Sequence, residues 1–185
     1  MNQLLLHLAQ WIEALPWSTG LHESYYMYNW IESTHVLALS LFLGMLFFID
    51  FRMLGLTMTS VPASRIAHCL HTPMMIGFAV MIITGVLLYF AVPVRVTQSI
   101  WFRIKFVLLV VAGINAWYFN RKMKASAEQW ESQRRAPKPL RMSVMMSLTL
   151  WAGVITTGRL IAYDWYDCYR VQSELIAWAA GCMAE

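Results

Sequence analysis

A mostly apolar and wholly uncharged run extends from Pro73 to Val94, about the 20 residues a helix needs to cross the hydrocarbon of a bilayer. Three more segments, Trp30 to Phe51, Ile100 to Phe119 and Met142 to Tyr163, are apolar with ionisable residues toward one end. Each holds an uncharged stretch, such as Val36 to Ile49 or Phe106 to Phe119, that is too long for a strand. The four segments are read as transmembrane helices. An open sheet leaves its edge groups unsatisfied in hydrocarbon, and no segment alternates as a barrel strand does. The expected fold is therefore an all-α, four-transmembrane-helix bundle forming one integral membrane domain over residues 1–185.

The links fall at Leu56 to Arg65, at Arg95 to Ser99, and in the polar stretch Arg121 to Leu140, punctuated by Pro62, Pro93, Pro137 and Pro139. Ahead of the first span, Leu4, Leu5, Leu8, Trp11, Ile12 and Leu15 recur at helical spacing up to Pro16, which predicts an amphipathic surface helix. It lacks the basic start of a cleavable signal. The tail from Val171 to Ala180 predicts a short helix of the same kind.

Composition agrees with lipid as the solvent. The chain is 59% apolar and 13% charged, with a mean hydropathy of +0.52, against about 25% charged in ordinary soluble domains. Its net charge of +4 matters less than the distribution of that charge. No Lys or Arg precedes Arg52, and the first and third links, with Arg52 and Arg141 at their flanks, hold nine of the fourteen basic residues. The positive-inside rule places those links in the cytoplasm and both termini in the periplasm of a bacterial inner membrane. The basic third loop also contains Glu128 and Glu131 and is read as a topology signal, with no nucleic acid as partner. Cys69 falls on the inner side. Cys168 and Cys182 fall outside, where a disulfide and two free thiols are both open outcomes.

Ionisable groups inside spans are costly unless they face protein or water, so their depth carries the functional signal. With four alternating spans, Glu32, His35, Lys105 and Arg159 share the outer leaflet. Glu32 and His35 lie three apart on one helical face, where a carboxylate can orient an imidazole that binds haem iron. Lys105 and Arg159 suit two anionic groups such as propionates. Arg103, close to a helix end, is read as snorkelling to headgroups.

A second group, Asp50, Arg52, His68, His71 and Asn115, lies toward the cytoplasm. His68 and His71 are metal or haem candidates, but neighbours on one helix cannot supply opposite axial positions. His71 and His35 differ in height by roughly 10 Å or more at 1.5 Å per residue. That leaves His22 as a candidate second ligand folding back toward His35. Asp50 and Arg52 are expected to close the inner end of the bundle, and Asn115 to hydrogen-bond between helices.

Thirteen methionines raise copper as an alternative cofactor. Met74, Met75 and Met81, however, lie in an apolar helix and read as core filling. Tyr25, Tyr26, Tyr28, Trp30, Trp101, Tyr163, Trp165 and Tyr166 cluster at span ends as an interfacial belt. No Walker A, dinucleotide loop, HExxH or CxxC pattern occurs.

The motifs WIESTHVLALSLFLGMLFFIDFRMLG, ITGVLLYF, FRIKFVLLVVAGINAW and LWAGVITTGRLIAY resemble those of an uncharacterised family of bacterial four-helix membrane proteins, over about residues 24–163. More distantly, His35 and Lys105 are similar to the His and Lys of the membrane protoporphyrinogen IX oxidase family, and the bundle resembles the copper-resistance protein D family. The oxidase family typically has a further histidine about ten residues after its lysine. Here that position is Asn115, which argues against oxidase activity. The resemblance implies a precedent for haem b or a redox metal at His35 and Lys105.

The expected function is a cytochrome b-like electron-transfer protein with haem b near the periplasmic face. His35 would be the axial ligand, and Glu32, Lys105 and Arg159 would complete the site. Expected partners are the lipid bilayer and a quinone or periplasmic redox protein, with homo-oligomerisation and enzymatic activity left open. The alternative is a non-enzymatic component, either a copper permease or an anchor for a periplasmic partner.

Overall fold

The computed structural model describes residues 2–130, 135–163, 168 and 173–182. Its described residues form helices and no strand. The elements are α1 (Asn2–Glu13), α2 (Pro16–Glu23), α3 (Met27–Leu54), α4 (Ala63–Ala91), α5 (Pro93–Thr97), α6 (Ile100–Trp130), α7 (Lys138–Tyr163) and α8 (Glu174–Ala180). Four of them, α3, α4, α6 over Ile100–Lys124, and α7, are long and apolar enough to cross a membrane. The protein is thus a multi-pass, all-α membrane protein.

Side chains in mid-helix show what solvates these helices. Leu37 on α3, Ile83 on α4, Ile114 on α6 and Met145 on α7 are each 60% exposed or more. In water such patches invite association; in a bilayer they face acyl chains.

Prolines explain most departures from the expected boundaries. Pro16 and Pro93 begin α2 and α5 at the first helical position, where the missing N–H costs nothing. Read only as breakers, they concealed both helices. Helix α4 starts at Ala63, ten residues before the expected start at Pro73, which is accommodated inside the helix. Flanking helices in lipid tolerate the one lost backbone bond. Helix α6 continues through the expected basic loop to Trp130. Glu131, Arg134, Trp165, Tyr166 and the start of the tail helix at Val171 lie outside the described residues, as does the side chain of Glu128.

Glycine ends two helices. Gly55 takes φ 76°, donates to Arg52 O, and is followed by a Leu56 N–H donating to Phe51 O. At the end of α8, Gly181 takes φ 78° and donates to Trp178 O, while Cys182 donates to Ala177 O. Both are Schellman closures, in which a left-handed residue satisfies the last carbonyls.

The contacts divide the chain into two compact units: Met1–His35 with Ile82–Val107 and Val154–Glu185, and Val36–Met81 with Leu108–Gly153. In the first unit α1 packs on α5, burying Leu6 and Ala9. Ser18 on α2 donates to Phe90 O at 2.8 Å, satisfying an orphan carbonyl at the end of α4. The ring of Tyr89 stacks on Phe102.

In the second unit Phe42 of α3 meets Phe78 of α4 and Trp151 of α7 at 5.4 and 5.0 Å. A cluster of Ile49, Met53, Ala63, Ile66, Ala136, Leu140 and Val144 fills one end, with Met74 packed against it. Arg52 donates to Val61 O at 2.8 Å and Ala136 N to Met53 O at 3.1 Å, so both loops at that end are held to α3. Asp50 and Arg52 are buried there, as expected for residues that close a bundle end.

Candidate functional site in the first unit

Glu32, His35, Lys105 and Arg159 come from α3, α6 and α7, and all four fall in the first unit. Asp50, Arg52, His68, His71 and Asn115 all fall in the second. The two polar groups that the sequence distinguishes thus belong to different units.

His35 is half-buried on α3, and its Nδ1 lies 2.9 Å from the hydroxyl of Thr84 on α4. Beside Thr84 stands Gly85, where an added Cβ would approach His35 Cε1 to 3.2 Å. The imidazole thus lies against the α4 backbone, in a space that exists because residue 85 has no side chain. A threonine within an apolar helix carries no periodic signal, and Thr84 went unseen in the sequence.

Lys105 is half-buried and crosses from α6 toward α7. Its Nζ lies 3.4 Å from the position a Cβ on Gly158 would take. Gly158 precedes Arg159, so two cations from two helices reach one turn of α7. They point differently. Arg159 is exposed, donates to the Tyr163 hydroxyl at 2.6 Å and lies 4.8 Å over that ring, one turn along its own helix. Such a pairing keeps a guanidinium at an interface.

Glu32 and Arg95 of α5 exert opposing charges on Tyr28, which lies one turn before Glu32 on α3. A third cation thus belongs to this end of the unit. The sequence reading assigned Arg95 to a connecting link, because the helix that carries it is only five residues long.

Arg103 has hydrogen-bond partners within the protein. Its guanidinium donates to Ala180 O at 2.9 Å and to Thr97 O at 3.5 Å, neutralising the negative end of α8. Cys182, two residues beyond Ala180, is disulfide-bonded to Cys168, with Cα atoms 5.3 Å apart. Of the two outcomes left open for these cysteines, the structure takes the bridge, and Cys69 is an exposed free thiol.

The other candidates are dispersed. His68 and His71 are exposed on α4 in the second unit, and His22 is exposed on α2. Among the described residues no three His, Cys, Asp or Glu side chains gather as a metal-ion site. Met81 is buried and Met74 packs in the core, whereas Met75 is exposed. At the span ends Tyr25, Tyr26, Trp30 and Tyr163 are exposed, as an interfacial belt requires, while Tyr28 and Trp101 are half-buried.

Comparison with known proteins gives one match. The model of a family described as "Family of unknown function (DUF6644)" matches residues 20–164. No curated protein and no solved structure matches the chain.

Proposed function

We propose a function from the premise that the chain belongs to this family of unknown function, DUF6644: it is an integral membrane redox protein that holds a b-type haem at His35. The observation carrying this reading is the 2.9 Å contact between His35 Nδ1 and the Thr84 hydroxyl, with the ring set against Gly85. Iron-ligating imidazoles use their second nitrogen to fix tautomer and orientation through a hydrogen bond. In the tautomer whose Nδ1–H donates to Thr84, the lone pair resides on Nε2, the nitrogen that would hold iron. The donor set is therefore chemically suited to the group.

Lys105 is the stronger of the two cations for a propionate, because it reaches between helices whereas Arg159 is turned over Tyr163. Glu32, whose charge opposes that of Arg95 at Tyr28, balances positive charge at the same end of the unit. When bound, haem supplies one-electron chemistry, with its potential set by the ligand and surrounding hydrogen bonds. The partner class that follows is a quinone in the bilayer or a periplasmic electron carrier. The bacterial inner membrane, with both termini periplasmic, is the proposed location.

The resemblance to the protoporphyrinogen oxidase family supports the His35 and Lys105 positions only. Asn115 bonds to Ser143 in the second unit and offers no imidazole. The test is a visible spectrum of detergent-purified protein from haem-replete cells. A Soret band that shifts on dithionite and is lost in His35→Ala is expected. A colourless, folded wild type overturns the haem reading.

The opposite charges that Glu32 and Arg95 bring near Tyr28 favour a second reading, an anchor that holds a periplasmic partner without cofactor. A colourless protein whose His35→Ala variant loses thermal stability supports it. For the copper alternative, metal analysis of wild type beside Met74 and Met75 substitutions decides.

A further inference from the structure

The second unit contains a polar set that the haem reading does not use. Asp50 is 3% exposed on α3, and its carboxyl is hydrogen-bonded to Ser147 of α7. Its Oδ2 is buried with no hydrogen-bond partner among the described residues. One turn from Ser147, Ser143 donates to Asn115 Oδ1 at 2.7 Å, and Asn115 Nδ2 donates to Ser143 O at 2.9 Å. Three helices thus carry a short polar track through an apolar interior.

Charge does not resolve the orphan oxygen. The groups of α4 in this unit, Arg65, His68 and His71, are exposed, as are Arg121, Lys122 and Lys124 of α6 and Lys138 of α7. Two cations are less accessible, Arg52 buried and Arg141 half-buried. Arg52, on Asp50's own helix, directs Nε to Val61 O, and Arg141 of α7 has a buried Nε without a partner. Asp50 and Arg52 are two residues apart, which places them on different faces of α3. An ionised carboxylate with an unmet oxygen in a membrane-spanning helix is costly; the neutral acid is not.

We propose that Asp50 is a proton-binding site, a carboxylic acid that takes up and releases one proton at Oδ2 within the second unit. Uptake forms the Oδ2–H bond and gives the neutral acid. Release to water breaks that bond and leaves a carboxylate that Ser147 stabilises through its hydroxyl. The ligand is a proton rather than a metal cation: Asp50 is the one carboxylate of this polar set, and among the described residues no three His, Cys, Asp or Glu side chains gather to hold a metal ion. The inference stands independently of haem at His35, which lies in the other unit.

The experiment is carbodiimide labelling of the full-length protein in lipid nanodiscs, mapped by mass spectrometry, because dicyclohexylcarbodiimide adds to protonated carboxyls shielded from water. Asp50 is expected to be labelled at mildly acidic pH. Above its midpoint, labelling should fall by about tenfold per pH unit, the factor for a single ionisation. Labelling that is absent at every pH, or independent of pH, overturns the proposal. So does labelling that sodium chloride suppresses at fixed pH while choline chloride does not, since that identifies a cation site. The carbonyl stretch of a protonated acid in the infrared spectrum, present in wild type and missing in Asp50→Asn, supplies a second readout. The labelling itself uses wild type and does not depend on the variant folding.

Discussion

The Thr84 hydroxyl stands 2.9 Å from His35 Nδ1 and joins the first and second membrane-spanning helices through a side chain of each. Threonine is a minimal device for this purpose. It adds one polar atom to an apolar helix, and the rest of its side chain is a methyl group.

Thr84→Val keeps the shape and removes the hydroxyl, so it isolates that bond. The expected loss is about 1 kcal/mol of stability, the net worth of a neutral hydrogen bond. In the haem-bound protein the midpoint potential should also move, while the Soret band survives. Loss of the band altogether would mean that Thr84 positions His35 more strongly than a second-nitrogen partner ordinarily does. Thermal unfolding and a redox titration supply both readouts.

Gly85 and Gly158 predict contrasting outcomes for the same substitution. Alanine gains about 1 kcal/mol over glycine in a helix interior. At Gly158 the new methyl meets the Lys105 ammonium at 3.4 Å, and that flexible stem can move aside. Gly158→Ala should be neutral or stabilising. At Gly85 the methyl meets the His35 ring at 3.2 Å, and this ring is already tethered to Thr84. Gly85→Ala should therefore lose the propensity gain, lower the transition temperature and weaken the His35-dependent spectrum. Equal behaviour of the two variants would contradict the placement of His35 against α4.

Which parts of this arrangement were legible beforehand follows from where each signal resides. The spans are written in long uncharged runs, and alternation along four helices was enough to sort Glu32, His35, Lys105 and Arg159 into one group and Asp50, Asn115 and His71 into another. The partners were less visible. Arg103 bonds to the carbonyl of Ala180, 77 positions away, and a backbone carbonyl has no sequence signature. Arg159 reaches Tyr163 on its own helix, a local pairing that competes with the anionic ligand inferred from depth alone. Pro16 and Pro93 were misjudged because the same residue that ends one helix can begin the next.

Asn115 and Ser143 form a reciprocal pair, each donating to the other's residue inside the second unit. Removing one partner strands the other in an apolar interior. Asn115→Leu and Ser143→Ala should each destabilise, and the double variant should cost less than their sum. The coupling expected for a membrane-buried pair is about 0.6 kcal/mol and up to about 1.7 kcal/mol. A double-mutant cycle in one detergent measures it, and strict additivity would argue against the pair.

Orientation is tested with reporters joined after Glu185. The excess of basic residues in the first and third links predicts an outward C-terminus. Alkaline phosphatase fused there should be active and a cytoplasm-dependent fluorescent protein dark. The reverse pattern would invert every assignment of sides, though not the division into two polar groups.

Two of the contacts that hold the C-terminal helix are the Arg103 guanidinium at Ala180 O and the Cys168–Cys182 bridge. Thiol titration of denatured, unreduced protein should find one reactive cysteine, Cys69, and find three after reduction. Because each tie shortens the excursion available when the other is broken, their losses should not add. Arg103→Gln in the oxidised protein, or reduction of the wild type, should raise amide exchange in 174–180 only modestly. Arg103→Gln after reduction should release α8, exposing a charge-assisted bond worth about 1.5 to 3 kcal/mol. If reduction alone frees the helix completely, Arg103 is not a tie but a guanidinium that settles on the nearest carbonyl once the disulfide has brought it there.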